Sequence, residues 1–238
     1  MEIQNKVVLL TGASGGIGSA IARHFSSLGA SLALTSRDNQ TLSGLAKLLP
    51  NSLTIAADLT SEADRQRCVD TALRHFGHID ILINCAAVAL AGPVETIDTT
   101  FYRKTLELNL VAPLHMMQLV IPHMKTHGAG TIINISSQAS LKNTPLISGY
   151  ASTKHALNNL TLAARQELAK DNITVSLFRP GLVETAFGQR SPAPEPEHFR
   201  HAPDGSMRSH VLMPETVAKK VADLIKSGDA ILDLIEGQ

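Results

Sequence analysis

The sequence predicts a single-domain α/β fold: a doubly wound Rossmann arrangement of seven parallel strands with helices on both faces, spanning residues 1–238. Three observations carry that expectation. Short apolar runs alternate with longer amphipathic stretches, as βα repeats feeding a parallel sheet require. A glycine-rich turn joins the first apolar run to the first amphipathic stretch. The composition, 44% hydrophobic and 18% charged over 238 residues, suits a well-filled core, and one doubly wound sheet commonly occupies this length.

Taken in order, the strands are expected at residues 7–10, 31–35, 53–57, 79–84, 130–135, 173–177 and 230–234, each a brief apolar run of the kind buried on both faces. Helical periodicity covers 16–28, 41–49, 62–76, 99–124, 150–170 and 214–226. Gly29, Gly77 and Gly128 stand where three of these helices stop. Right-handed crossovers then distribute the helices over both faces. Residues 188–210 break the rhythm, because Pro192, Pro194, Pro196, Pro203 and Gly205 exclude a helix or a central strand. Lying beyond the carboxyl end of the sixth strand, where ligands bind in open α/β sheets, the segment 182–210 reads as a substrate lid.

Charge and apolar content narrow the function classes. Lys plus Arg number 21 against 21 Asp plus Glu, so no overall field draws nucleic acid or an anionic membrane, and neither is an expected partner. The most apolar neighbourhood, 79–94, is interrupted by Asp80, Asn84, Gly92 and Pro93 and falls short of the roughly 20 clean residues of a spanning helix. Met1 to Asn5 lead directly into an apolar run with no targeting pattern. Cys68 and Cys85 lack metal-ligand spacing and read as buried free thiols of a reducing compartment, so a cytoplasmic protein is expected.

The first strand runs into Thr11-Gly12-Ala13-Ser14-Gly15-Gly16-Ile17-Gly18, and a helix begins at once. Without Cβ atoms the backbone can approach a pyrophosphate, and the helix N-terminus supplies N–H donors and the positive dipole end. A dinucleotide fits this context. At the end of the second strand, Ser36 stands where an acidic ribose ligand is expected, and Arg37 follows with a planar fork suited to a 2′-phosphate. NADP(H) is therefore favoured over NAD(H), although Asp38, one residue further, is the rival that would select NAD(H). Asp58, after the third strand, either caps the next segment or touches the adenine.

Tyr150 is one of two tyrosines and precedes Lys154 by four residues, which places both on one helical face. An ammonium about 4 Å from a phenolate attracts it by about 4 kcal/mol at an effective dielectric near 20. At about 1.4 kcal/mol per unit, that brings a phenol from near 10 toward 7, less whatever desolvation opposes. Such a group suits acid/base work at neutral pH.

The chain resembles the short-chain dehydrogenase/reductase family along nearly its full length. The matching residues are Thr-Gly-x-x-x-Gly-x-Gly at Thr11 to Gly18, Asn84-Cys85-Ala86-Ala87, Asn109, Asn134-Ile135-Ser136-Ser137, Tyr150-x-x-x-Lys154 and Arg179-Pro180-Gly181. The resemblance implies that Tyr150 is the proton donor or acceptor and that Ser137, thirteen residues before it, bonds the substrate oxygen. Lys154 would bind the nicotinamide ribose and lower the tyrosine pKa, and Asn109 would anchor a proton-relay water. It also implies cofactor contacts from Gly12, Ser14, Gly16, Ile17, Gly18, Ser36, Arg37, Asp58, Leu59, Asn84, Ala86, Tyr150, Lys154, Pro180, Gly181 and Thr185. The chain departs from the family in three places: Cys85 and Ala87 replace a usual Asn and Gly, Gly15 stands where NADP-using members often carry a basic residue, and the Gly-rich C-terminal tail is missing.

The implied activity is an NADP(H)-dependent oxidoreductase that moves a hydride between nicotinamide and a small-molecule carbonyl or secondary alcohol, assembled as a homodimer or homotetramer on the long helices 99–124 and 150–170. A nucleotide-binding sensor without turnover, and an isomerase or dehydratase on the same fold, are the alternatives. Val88, Leu90, Leu141, Leu146, Val183 and Phe187 are candidates for an apolar substrate chamber or for plain core. His115, His123 and His127 are spaced eight and four apart with no shared carboxylate, so no catalytic metal is expected.

Overall fold

In the computed structural model, residues 1–188 and 211–234 are described. The lid expected over 182–210 therefore falls outside them except for its first seven residues. The strands are β1 (Val7–Thr11), β2 (Ser31–Ser36), β3 (Ser52–Ala56), β4 (Ile81–Asn84), β5 (Gly130–Ile135), β6 (Ile173–Pro180) and β7 (Ile231–Leu234). They form one parallel sheet in the order β3-β2-β1-β4-β5-β6-β7. The order reverses between β1 and β4, and the carboxyl ends on either side of that reversal open the crevice where ligands bind in such sheets.

Period-two alternation sorts each strand's side chains into two cores. Val8 and Leu10 of β1 join Ile133 of β5 under α1 (Gly16–Ser27), α2 (Asn39–Ala46) and α7 (Pro214–Ser227), which contribute Phe25, Leu42 and Val221. Leu9 and Ile132 face the other way, under α3 (Glu62–Phe76), α5 (Ala112–His127) and α6 (Ser148–Leu168), against Val69, Met116 and Leu168. Strands buried on both faces explain why the sequence shows plain apolar runs rather than alternation.

Several element boundaries differ from the sequence expectation. The helix expected over 99–124 is two helices, α4 (Thr99–Leu106) and α5, joined by a wide π turn at Glu107–Val111. Its apolar pattern runs on without a break, so the interruption is invisible to periodicity; it comes from Asn109, whose buried amide bonds the backbone of Val88 on a different element. β6 continues to Pro180 because β7 pairs with it as far as Pro180↔Leu234. α2 starts at Asn39 because Asp38 accepts the Thr41 N–H as its N-cap.

Thr11 fastens the first strand to the fourth where the crevice opens. Its buried hydroxyl accepts the N–H groups of Cys85 at 2.9 Å and Ala86 at 3.1 Å and donates to the Ile83 carbonyl at 3.3 Å. Thr11→Val keeps the shape but leaves two enclosed N–H donors unpaired, which is expected to cost about 2–4 kcal/mol in urea unfolding. An unchanged midpoint would show that water reaches those donors.

Candidate active site

The turn between β1 and α1 is shaped by contacts inside the protein. Gly12 has φ of +69°, and a Cβ there would meet the Ala86 backbone at 2.8 Å. A Cβ on Gly18 would lie 2.2 Å from the Gly12 carbonyl oxygen, and one on Gly16 would lie 2.3 Å from Thr185 Cγ2. Three glycines are thus required for the turn to close on itself, on the loop after β4 and on the segment after β6. What remains for a ligand is the end of α1: Gly15, its N-cap, supplies no side-chain cap, so the first-turn N–H groups keep their anion-binding capacity. Ile17 is half-buried and packs on the first core.

Next to this turn, the hydroxyls of Ser14 and Ser36 meet at 2.5 Å. Arg37 is exposed and makes no hydrogen bond or ion pair with the other described residues. The Asp38 carboxylate caps α2, with one oxygen on the Thr41 N–H and the other on the Thr41 hydroxyl. The uncapped helix end and the adjacent serine pair fit the phosphates and ribose of a dinucleotide.

Other expected cofactor residues divide by side chain and backbone. Asp58 accepts from the Thr60 N–H and hydroxyl, so its carboxylate makes a local cap at the crevice rim. The Leu59 side chain is buried in the second core, and its carbonyl accepts from Arg65 at 3.0 Å. The Asn84 amide is turned inward: it donates to Asn134 Oδ1 at 2.9 Å, and Asn134 in turn donates to Thr161. Asn84 is thereby enclosed, and the half-buried Ala86 follows at the end of β4 against the second core. Beyond β6, Pro180 is buried, the Gly181 N–H donates to the Leu234 carbonyl, and Thr185 lies on Gly16.

The four expected catalytic residues converge where α4, α5 and α6 meet the ends of β4 and β5. Asn109, fully buried, accepts the Val88 N–H at 2.9 Å and donates to the Val88 carbonyl at 3.0 Å and to Thr153 Oγ1 at 3.1 Å. Its side chain is thereby spent on structure. Lys154 is 2% exposed; its Nζ donates to the Ile135 carbonyl at 2.8 Å and lies 6.0 Å from the Tyr150 ring centroid. Burial lowers the Lys154 amine to a pKa of about 8 and pushes the neighbouring Cys85 thiol up to about 12, leaving that thiol neutral. Tyr150, half-buried, also packs edge-on against Phe187, with ring centroids 5.7 Å apart. Ser136 is enclosed and bonded to Asn158, whereas half-buried Ser137 accepts the Ala139 N–H at 3.1 Å and keeps its own proton to donate.

Of the expected pocket residues, Leu90 is buried behind Gly149, while Leu141 is 51% exposed. Leu146 holds a left-handed φ of 69° and its carbonyl accepts the Gly92 N–H at 2.7 Å. Val183 forms a bridge to Leu212, and Val88 is half-buried over Asn109. The link from Asn109 to Thr153 was missed in the sequence, since nothing in the spacing of the two marks a contact. Of the three histidines weighed as a metal set, His115 pairs with Arg65, His127 stacks on His78 at 4.8 Å and His123 is exposed. His78, His127 and Asp80 do lie together at the opposite, amino-terminal edge of the sheet. Asp80, however, is already occupied by Lys6 and by the Val7 N–H.

The buried amine has a thermodynamic consequence. Its folded pKa of about 8 lies below the ordinary 10.5, so between those values the unfolded chain binds the additional proton. The stability of the wild type relative to Lys154→Met is therefore expected to rise with pH across that window. Urea unfolding of both proteins on either side of it measures the difference, and a flat difference contradicts the low-dielectric environment of the amine.

Comparison with known proteins places these features in a family. The model of the short chain dehydrogenase family matches residues 6–196. An uncharacterized oxidoreductase of Staphylococcus epidermidis is 32% identical over 196 residues, covering 79% of this chain and 85% of its own. Human dehydrogenase/reductase SDR family member 4 is 36% identical over 192 residues, covering 79% and 69%. Among solved structures, 3-ketoacyl-(acyl-carrier-protein) reductase from Brucella melitensis, complexed with NADH, superposes with a TM-score of 0.88 at 27% identity over 99% of this chain and 98% of that one. A Caenorhabditis elegans short-chain dehydrogenase/reductase of unknown function, solved with cofactor, gives 0.83 at 29% identity over 98% and 95%. With its parallel sheet, its glycine turn and its Tyr150–Lys154 helix face, the chain belongs to the short-chain dehydrogenase/reductase family of oxidoreductases.

Proposed function

We propose that the protein is an NADP(H)-dependent reductase or dehydrogenase acting on a small-molecule carbonyl or secondary alcohol, with Tyr150 as the general acid/base. The observation that carries this reading is the convergence of Tyr150, buried Lys154 and proton-bearing Ser137 at the carboxyl ends of β4 and β5, beside an uncapped helix end. When bound, the dinucleotide supplies the hydride. Everything else is the work of the chain's own groups.

In the reductive direction, Ser137 donates a hydrogen bond to the carbonyl oxygen and Tyr150 gives that oxygen its proton as negative charge develops there. Lys154, protonated below about pH 8, holds positive potential beside the phenol, so the phenolate left by the transfer is stabilised. Phe187 packs edge-on against the Tyr150 ring and helps hold its orientation. With the Asn109 side chain bonded to Val88 and Thr153, anchorage of a relay water falls to its backbone in the widened turn.

Preference for NADP(H) is supported by three features together: Ser36 in the usual acidic position, exposed Arg37 with no partner among the described residues, and Asp38 engaged in capping α2. Residues 182–210 serve as the substrate lid in this reading. Leu114, Ile121 and Leu160, half-buried apolar residues on α5 and α6, offer a face for assembly into a dimer or tetramer.

Tyr150→Phe is expected to lower kcat by at least about 100-fold while cofactor affinity, followed by nucleotide fluorescence, stays within a few-fold. Turnover close to wild type would remove Tyr150 from the reaction. Arg37→Ala is expected to raise KM for NADPH about tenfold and leave KM for NADH nearly unchanged. An unaltered NADPH/NADH ratio in that variant would leave Arg37 no part in cofactor choice.

A further inference from the structure

We infer that Asn158 and Ser140 are positioning residues for Ser137, acting through a directional chain of hydrogen bonds that ties the turn after β5 to α6. The inference rests on the proposed role of Ser137 as donor to the substrate oxygen. Asn158 lies one helical turn beyond Lys154 and two beyond Tyr150, on the same face of α6.

The proton assignments follow from the chemistry of each partner. The Ser137 carbonyl can only accept, so the Ser140 hydroxyl, 2.6 Å away, spends its single proton there. The Ser140 N–H also reaches that carbonyl, at 3.1 Å. The Ser140 oxygen then presents only lone pairs to Asn158 and accepts from its Nδ2 at 2.8 Å. That orientation turns Asn158 Oδ1 toward Ser136, whose hydroxyl donates to it at 2.6 Å, with the Lys154 carbonyl as a second acceptor at 3.4 Å. The chain closes only with a residue that carries a donor and an acceptor side by side. A carboxylate offers two acceptors and an aliphatic side chain neither.

Burial makes the chain consequential. Ser136, Ser140 and Asn158 are 3%, 6% and 7% exposed, so water does not readily replace a lost partner. Because one helix carries Tyr150, Lys154 and Asn158, the phenol and the carbonyl of Ser137 are referred to a common rigid element. Loosening the turn displaces Ser137 Oγ relative to the phenol, and a displacement of about 1 Å can cost about 100-fold in rate.

The test is a double-mutant cycle in the full-length protein. Ser140→Ala and Asn158→Asp are each made alone and combined with Ser137→Ala, and NADPH-dependent turnover of a panel of ketones and diketones is followed. Each single variant is expected to lower kcat about tenfold with KM for NADPH within about twofold, and neither should cost more than about twofold once Ser137 is already alanine. Independent, additive losses in the Ser137→Ala background, or an unimpaired Ser140→Ala beside a deficient Ser137→Ala, overturn the positioning role alone. Full turnover by Ser137→Ala overturns the role of Ser137 and this inference with it. Should Asn158→Asp fail to fold, the cycle between Ser140 and Ser137 decides.

Discussion

A buried ammonium docks α6 onto the end of β5, and the arrangement of the site follows from that contact. Lys154 is almost fully enclosed, so its Nζ needs a partner; the Ile135 carbonyl, at the last residue of β5, provides one at 2.8 Å. This contact, with the Asn134–Thr161 and Ser136–Asn158 bonds, fixes the height of α6 along the strand. It thereby sets Tyr150, one turn earlier on the same face, at the level of the Ser137 turn. Burial that would otherwise only destabilise the chain has a chemical use in the proposed reaction, where a lysine with a lowered pKa sits beside the phenol assigned to proton transfer.

A second constraint comes from the interruption between α4 and α5. Continuing the α-helix through Glu107–Val111 would preserve regular hydrogen bonding, but it would draw the Asn109 amide away from Val88. The widened turn gives up local regularity for three hydrogen bonds of the buried Asn109 side chain that join the loop after β4 to α6 through Thr153. Those bonds brace the wall of the crevice from behind, and Thr11 braces it from the front through Cys85 and Ala86. With Cys85 and Ala87 in place of a more usual Asn and Gly, the wall relies on such backbone contacts.

At the glycine turn the tertiary structure supplies a reason for the residue type that lies inside the protein. Gly12, Gly16 and Gly18 suggest close approach of a pyrophosphate, yet each also has protein atoms in the space a Cβ would fill. Gly12 and Gly18 serve close packing of backbone on backbone, Gly16 makes room for the Thr185 side chain, and that packing leaves the α1 N-terminus open. Thr185 on Gly16 and Phe187 on Tyr150 further show that the first residues beyond β6 touch both halves of the crevice.

The sequence by itself determined the seven-stranded parallel sheet, the positions of nearly every element to within a few residues, and the shared helical face of Tyr150 and Lys154. Each of those depends on local information: apolar runs, turn glycines, and a four-residue spacing that any helix converts into a shared face. Only the tertiary structure decided the break at Asn109, the inward turn of Asn84 toward Asn134 and the bonding of Asn158 to the Ser137 turn. These depend on where a polar side chain finds its partner once burial has removed water. The partner lies on another element, 22 residues away for Ser136 and Asn158 and 50 for Asn84 and Asn134, so no local pattern records it.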